Sequence, residues 1–191
     1  MEIEKFGDEF GPELIVKVHS PKVGLHGILV IDNTARGPGK GGIRMTPFVT
    51  MEEVFRLART MTWKNALAEL PWGGAKSGII ANPKKISVEE KKALIQAFSK
   101  AIKPLVPKLY IAGPDVNTGE QEMKWFAEAN GSLKACTGKP EEMGGLPHEL
   151  GSTGFGVAIA TRIALKSKRI KLEGIRIAIQ GFGNVGSFTF K

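Results

Sequence analysis

At 191 residues the chain is long enough for one well-packed domain plus part of another. Its net charge of +8 raises nucleic acid or an anionic small molecule as partner, but the basic residues are scattered, with Lys84-Lys85 and Lys91-Lys92 beside Glu89-Glu90. No basic run is interleaved with aromatics, which disfavours nucleic acid. The single cysteine, Cys136, excludes an internal disulfide framework. With a charged start (Met1 to Asp8) and no apolar run of bilayer length, the expectation is a cytoplasmic chain, no membrane partner, and Cys136 as a small buried filler.

Residues 14–19 (Leu-Ile-Val-Lys-Val-His) and 27–31 (Gly-Ile-Leu-Val-Ile) are β-branched and apolar, and they read as two paired strands joined by Ser20-Pro-Lys-Val-Gly24. The next stretch, Asp32 to Arg44, holds four glycines and a proline and reads as an irregular loop carrying Arg36, Lys40 and Arg44. It is either a solvated surface loop or an anion site in which backbone N–H groups and Lys40 meet a carboxylate or phosphate. Thr50 then caps a helix with Glu52 and Glu53 in its first turn. Met51, Val54, Phe55, Ala58, Met61 and Leu67 follow at helical spacing, and Pro71 marks the end. That helix carries Lys64, twelve residues before Lys76, so one cleft can receive both lysines.

The stretch Leu70-Pro-Trp-Gly-Gly-Ala-Lys-Ser-Gly-Ile-Ile80 delivers Lys76 to the mouth of a buried strand beginning at Ile79-Ile80. Gly73, Gly74 and Gly78 permit φ > 0 and close approach of a ligand or another backbone. A lysine there either snorkels to solvent or, losing water, becomes a base able to work near neutral pH. Beyond it, Ser87-Val-Glu-Glu90 is a capping box opening a second helix whose buried stripe is Leu94, Ile95, Phe98, Ala101 and Ile102, stopped by Pro104 and Pro107. Leu109-Tyr-Ile-Ala reads as a short strand running into Gly113-Pro-Asp-Val-Asn-Thr-Gly119. Asp115 there is either a turn or capping residue or a carboxylate held over a cleft as a proton shuttle.

A helix over Glu120–Ala129 ends at Asn130-Gly131. The glycine- and proline-rich stretch from Thr137-Gly-Lys-Pro to Gly151 suggests a domain boundary near 150, before a helix from about Thr153 to Lys166. The last segment, Gly174 to Gly186, is an apolar strand (Ile175 to Ile179) entering Gly181-x-Gly183-x-x-Gly186, the first turn of a dinucleotide-binding unit. Only five residues follow Gly186, so no partner strand and no acidic ribose-binding residue accompany it.

Taken together, Arg36-Gly-Pro-Gly-Lys-Gly-Gly-Ile-Arg44, Thr62-Trp-Lys64, Leu70 to Gly78, Gly113-Pro-Asp-Val-Asn-Thr118 and Gly181-Phe-Gly-Asn-Val-Gly186 resemble the glutamate/leucine/phenylalanine/valine dehydrogenase family in order and spacing. The resemblance covers essentially the whole chain and stops just after the glycine turn. It implies an α/β fold: an N-terminal substrate and assembly domain (1–150) with a mixed sheet between helices, then the start of an incomplete Rossmann domain (151–191). It implies oxidative deamination of an L-amino acid to its 2-oxo acid with NAD or NADP, in a homo-oligomer, a hexamer by analogy, and without a metal. Lys76 and Asp115 correspond to the catalytic pair; Lys64 to the residue holding the α-carboxylate; Lys40 to the residue meeting a side-chain carboxylate in the glutamate-specific branch; Gly42 and Thr153 to further substrate contacts. Gly181, Gly183, Asn184, Val185 and Gly186 correspond to the cofactor turn. Glutamate is the favoured substrate, although Glu149 stands where that branch has an arginine. Because most of the cofactor domain is missing, the chain alone is expected to be inactive and to bind cofactor weakly. The competing readings are a non-catalytic assembly or substrate-binding fragment and a leucine or branched-chain dehydrogenase.

Overall fold

A computed structural model describes residues 7–146 and 150–191. The charged start as far as Phe6, and Glu149, lie outside the described residues. The chain divides into two compact units, 1–145 and 146–191.

In the first unit a six-stranded mixed sheet forms among the described residues: β1 (Leu14–Ser20), β2 (Leu25–Asn33), β3 (Gly39–Lys40), β4 (Ile43–Thr46), β5 (Gly73–Ile80) and β6 (Tyr110–Ile111). The order is β1-β2-β5-β3-β6, with β4 also on β5. β1–β2 and β2–β5 are antiparallel, and the pairs made by β3 and β4 are parallel. The β1–β2 hairpin follows from the two apolar runs, with Gly24 left-handed (φ 66) at the turn.

Period-two alternation along β2 assigns its side chains to two faces. Leu25, Leu29 and Ile31 join the larger core with α2 (Val88–Ala101) and α3 (Glu120–Asn130), while Ile28 and Val30 pack with Val54 and Ala58 of α1 (Met51–Leu67). Thr50 caps α1 by accepting the Glu53 N–H at 3.2 Å, and Ser87 and Glu90 form the expected capping box on α2. Lys91 of α2 reaches Glu122 of α3 at 2.6 Å, and Glu122 also accepts the Gly119 N–H, so one carboxylate caps α3 and ties the two helices together.

Four details correct the sequence reading. The Asp32–Arg44 stretch contains β3 and the start of β4, because backbone ladders from β5 and β6 flank it despite its glycines. β5 begins at Gly73 and ends at Ile80, so Lys76 sits inside the strand and not at its mouth. Gly73, Gly74 and Gly78 are not left-handed; they are glycines because of close packing. A Cβ on Gly74 would strike Thr62 of α1, and one on Gly78 would lie 2.8 Å from Val49 and 3.0 Å from Val54. On the helices, Leu67 is 86% exposed and Ala101 is exposed, both lying off the apolar stripes at helix ends.

The second unit contains α4 (Ser152–Ser167) and α5 (Asn184–Phe190). Gly154 lets α5 approach α4: a Cβ there would stand 2.6 Å from the Val185 carbonyl and 2.8 Å from the Thr189 nitrogen. The expected strand Ile175–Ile179 is not a strand among the described residues, since a strand is defined by its ladder and this segment has no partner. Ile177 is 59% exposed accordingly.

Gly74→Ala should test the glycine-packing account of β5. Forcing a methyl against the α1 backbone should cost about 1–3 kcal/mol in urea unfolding, and a loss below about 0.5 kcal/mol, the scale of a neutral surface change, would contradict it.

Candidate active site

Lys76 is presented by its strand. On the α1 side of β5 the alternate positions are Gly74, Lys76 and Gly78, so the lysine is the only side chain longer than hydrogen on that face between two glycines that seat α1. It is 6% exposed and its Nζ donates to Asp115 Oδ2 in an ion pair.

Asp115 is carried by the loop after β6, which runs along β4 as an extra strand edge. The Ile43 N–H donates to the Gly113 carbonyl at 2.9 Å, and the Met45 N–H to the Val116 carbonyl at 3.0 Å. Thr118 Oγ1 donates to the Ile43 carbonyl at 2.6 Å and accepts the Asp115 N–H at 2.9 Å. Gly42 permits this approach, because a Cβ there would lie 2.5 Å from the Pro114 carbonyl and 2.8 Å from Asp115 Cβ. The other carboxylate oxygen of Asp115 accepts Arg44 Nε at 2.9 Å and the Val116 N–H at 2.6 Å. Burial works against the charge of Asp115, but the hydrogen bond from Lys76, that of the Val116 N–H and Arg44 outweigh it and hold its pKa below the usual carboxylate range. Arg44 in turn reaches Glu53 of α1 at 2.6 Å. Although burial opposes its charge, the two carboxylates raise its pKa.

Lys40 is the second buried lysine, 8% exposed, with Nζ donating to the Ala112 carbonyl at 2.9 Å. Gly113 clears its path: a Cβ there would stand 2.5 Å from Nζ. Burial is the main cause that brings its pKa down to about 8; Lys76, Lys64 and Lys139 add to the lowering and Cys136 opposes it. Lys64 is exposed in the last turn of α1, two residues beyond Thr62, which packs on Gly74 of β5. Beneath the site Tyr110 is fully buried; its hydroxyl donates to the Gly41 carbonyl at 3.0 Å and pairs with Ser77 Oγ at 2.9 Å, fastening β6 to β3 and β5.

The first unit therefore gathers Lys40, Gly42, Lys64, Lys76 and Asp115. Thr153 belongs to the second unit, exposed in the first turn of α4. The glycine turn is there too: Gly181 is left-handed (φ 87), Gly183 precedes α5, and a Cβ on Gly186 would strike the Gly181 carbonyl. Together with Asn184 and Val185 these glycines line an open cavity of ≈ 550 Å³. Close backbone packing of this kind fits a pyrophosphate-binding turn. Sequence reasoning named Arg44 among the charges of the glycine loop without giving it a role at the site, and it left out Lys139. For Arg44 a signal existed: Lys40-x-Gly42-x-Arg44 has the period of a strand, masked by the four glycines. Among the described residues no group of three or more His, Cys, Asp or Glu is placed to hold a metal ion, and no helix is long and apolar enough to cross a membrane.

A part-buried lysine–aspartate pair beside further lysines on a mixed sheet, with a glycine turn later in the chain, is what the resemblance to the Glu/Leu/Phe/Val dehydrogenases leads one to expect. Comparison with known proteins agrees: residues 12–131 match the Glu/Leu/Phe/Val dehydrogenase dimerisation domain, and residues 144–191 match the Glutamate/Leucine/Phenylalanine/Valine dehydrogenase model. The chain belongs to this oxidoreductase family. It is 45% identical over 166 residues to the glutamate dehydrogenase of Aeropyrum pernix, covering 83% of this chain and 40% of that one. The NAD-specific glutamate dehydrogenase of Peptoniphilus asaccharolyticus is 42% identical over 167 residues, covering 83% of this chain and 40% of that one. The hetero-hexameric glutamate dehydrogenase of Thermus thermophilus in its Leu-bound form superposes with a TM-score of 0.84 at 33% identity, covering 93% of this chain and 46% of that one. The chain thus spans about 40% of the length of the curated relatives it matches.

The lowered pKa of Lys40 has a measurable sign. Below about pH 8 both folded and unfolded chains hold its proton and the burial cost is present in full; from there to the ordinary 10.5 the unfolded chain binds more protons, so stability rises with pH. Unfolding free energy should climb across that window in the parent relative to Lys40→Met. Parallel pH profiles for the two proteins would refute the assignment.

Proposed function

We propose that this chain is the substrate half, with the start of the cofactor half, of an NAD(P)-dependent dehydrogenase that oxidatively deaminates an L-amino acid, glutamate in the first place. The observation that carries the reading is the contact of Lys76 with Asp115 in a cluster where cations outnumber carboxylates: Lys40, Lys64, Lys76, Lys139 and Arg44 against Asp115 and Glu53. Such a cluster suits a ligand with two carboxylates.

In this reading Lys64 holds the α-carboxylate and Lys40 the side-chain carboxylate. Lys76 and Asp115, already in hydrogen-bond contact, divide the proton work: Lys76 polarises the substrate and activates water, and Asp115 passes protons to and from the substrate nitrogen. Arg44 and the Val116 N–H keep Asp115 ionised and pointed at Lys76. Gly181, Gly183, Asn184, Val185 and Gly186 would hold the dinucleotide, which when bound supplies the hydride acceptor. The family's dimerisation domain and the hetero-hexameric relative support an oligomer as the working form.

Isothermal titration of the chain with NAD, NADP, glutamate and 2-oxoglutarate tests the reading. Weak binding of 2-oxoglutarate that falls at least roughly tenfold in Lys64→Ala, the loss of a charged hydrogen bond, is expected, with no measurable cofactor binding. Dicarboxylate binding indifferent to Lys64 would contradict the substrate site, and tight NAD or NADP binding would contradict the claim about the cofactor.

A further inference from the structure

Two ammonium groups of the first unit are buried with no carboxylate partner among the described residues. Lys40 donates only to the Ala112 carbonyl, and Lys139, 9% exposed, donates to the Cys136 carbonyl at 2.6 Å. An ammonium has three donors, and burying one without an opposite charge is costly, so both positions need a reason. Their hydrogen bonds are connected. The Ala112 carbonyl that holds Lys40 also accepts the Thr137 N–H at 3.0 Å, and that N–H belongs to the same peptide group as the Cys136 carbonyl that holds Lys139. A positive charge on the carbonyl end of a peptide strengthens its N–H as a donor, so Lys139 tightens the grip of the Thr137 N–H on the Ala112 oxygen.

The segment is fixed in place on both sides. Ala112 and Cys136 form a parallel bridge at the β6 edge, and Gly138 is left-handed (φ 67) and packed on Pro114, the residue before Asp115. The titratable groups facing Lys40 are Lys64 from α1, Lys76 from β5, and Cys136 and Lys139 from this segment. Both Lys40 and Lys139 face the Cys136 thiol, which burial pushes up to about 11.

We propose that Lys139 is a positioning residue for Lys40: through the Cys136–Thr137 peptide it fixes the carbonyl that orients the Lys40 ammonium, and its charge favours ligands carrying a second carboxylate. The inference rests on the reading of this pocket as the substrate site. It explains why a lysine in a glycine-rich connector is buried, and why two cations at this end of the pocket lack a carboxylate of their own.

Lys139→Met keeps most of the unbranched side chain and removes its charge and its donor. Two measurements on the full chain judge it. In an NMR titration of the Lys40 side chain, the midpoint should rise from about 8 in the variant, since a neighbouring cation is gone; an unchanged midpoint overturns the proposal. In calorimetry, the preference for 2-oxoglutarate over a 2-oxo monocarboxylate of the same chain length should fall roughly tenfold; equal loss for both ligands, or no loss, also overturns it. If the parent binds neither oxo acid, the substrate reading fails, while the titration still decides the link between Lys139 and Lys40. Where Lys139→Met does not fold, Lys139→Gln, which can still donate to the Cys136 carbonyl, must raise the midpoint in the same way.

Discussion

The candidate site of the first unit is organised around one part-buried contact, that of the Lys76 ammonium with the Asp115 carboxylate. Removing two charges from water costs several kcal/mol per ion unless each is fully hydrogen-bonded, and the surrounding chain meets that condition for Asp115. Its carboxylate accepts from Lys76, Arg44 and the Val116 N–H, and Arg44 is itself held by Glu53. The contact joins the middle of the sheet to the loop after β6. Both partners are placed by backbone: Lys76 by the β5 ladder, and Asp115 by a loop hydrogen-bonded along β4.

Glycine is what allows these elements to come so close. Gly74 and Gly78 seat α1 on the same face of β5 that presents Lys76, Gly42 admits the Asp115 loop, and Gly113 makes room for Lys40. Each position trades backbone entropy for an approach that no side chain would permit. The cluster of glycine and lysine in this chain is therefore one design, in which close packing strips water from lysines that would otherwise be solvated. The second unit follows the same rule at Gly154 and Gly186.

Much of this was legible in the sequence. Thr50, Ser87 and Gly131 marked helix ends because capping is a local hydrogen-bond requirement, and Leu94, Ile95 and Phe98 showed the buried stripe of α2 because helical periodicity is local too. Lys40, Lys76 and Asp115 stood out through their glycine-rich settings, and Lys64 through its spacing twelve residues before Lys76. What could not be read was pairing. β3 and β4 are strands only because β5 and β6 lie beside them, and Ile175 to Ile179 is not one because no strand among the described residues pairs with it. Likewise the partner of Arg44 at Asp115 lies 71 residues away in the chain, where local pattern carries no signal.

A double-mutant cycle of Lys76→Met and Asp115→Asn, measured by urea unfolding of the chain, tests the central contact most directly. If the pair is the hub described, Asp115→Asn leaves the buried Lys76 charge without its carboxylate while Lys76→Met leaves Asp115 to Arg44 alone, and the two should couple by more than about 1 kcal/mol. A coupling near zero would mean that the lysine and the aspartate stand side by side without depending on each other, and the account of the site would fall with it.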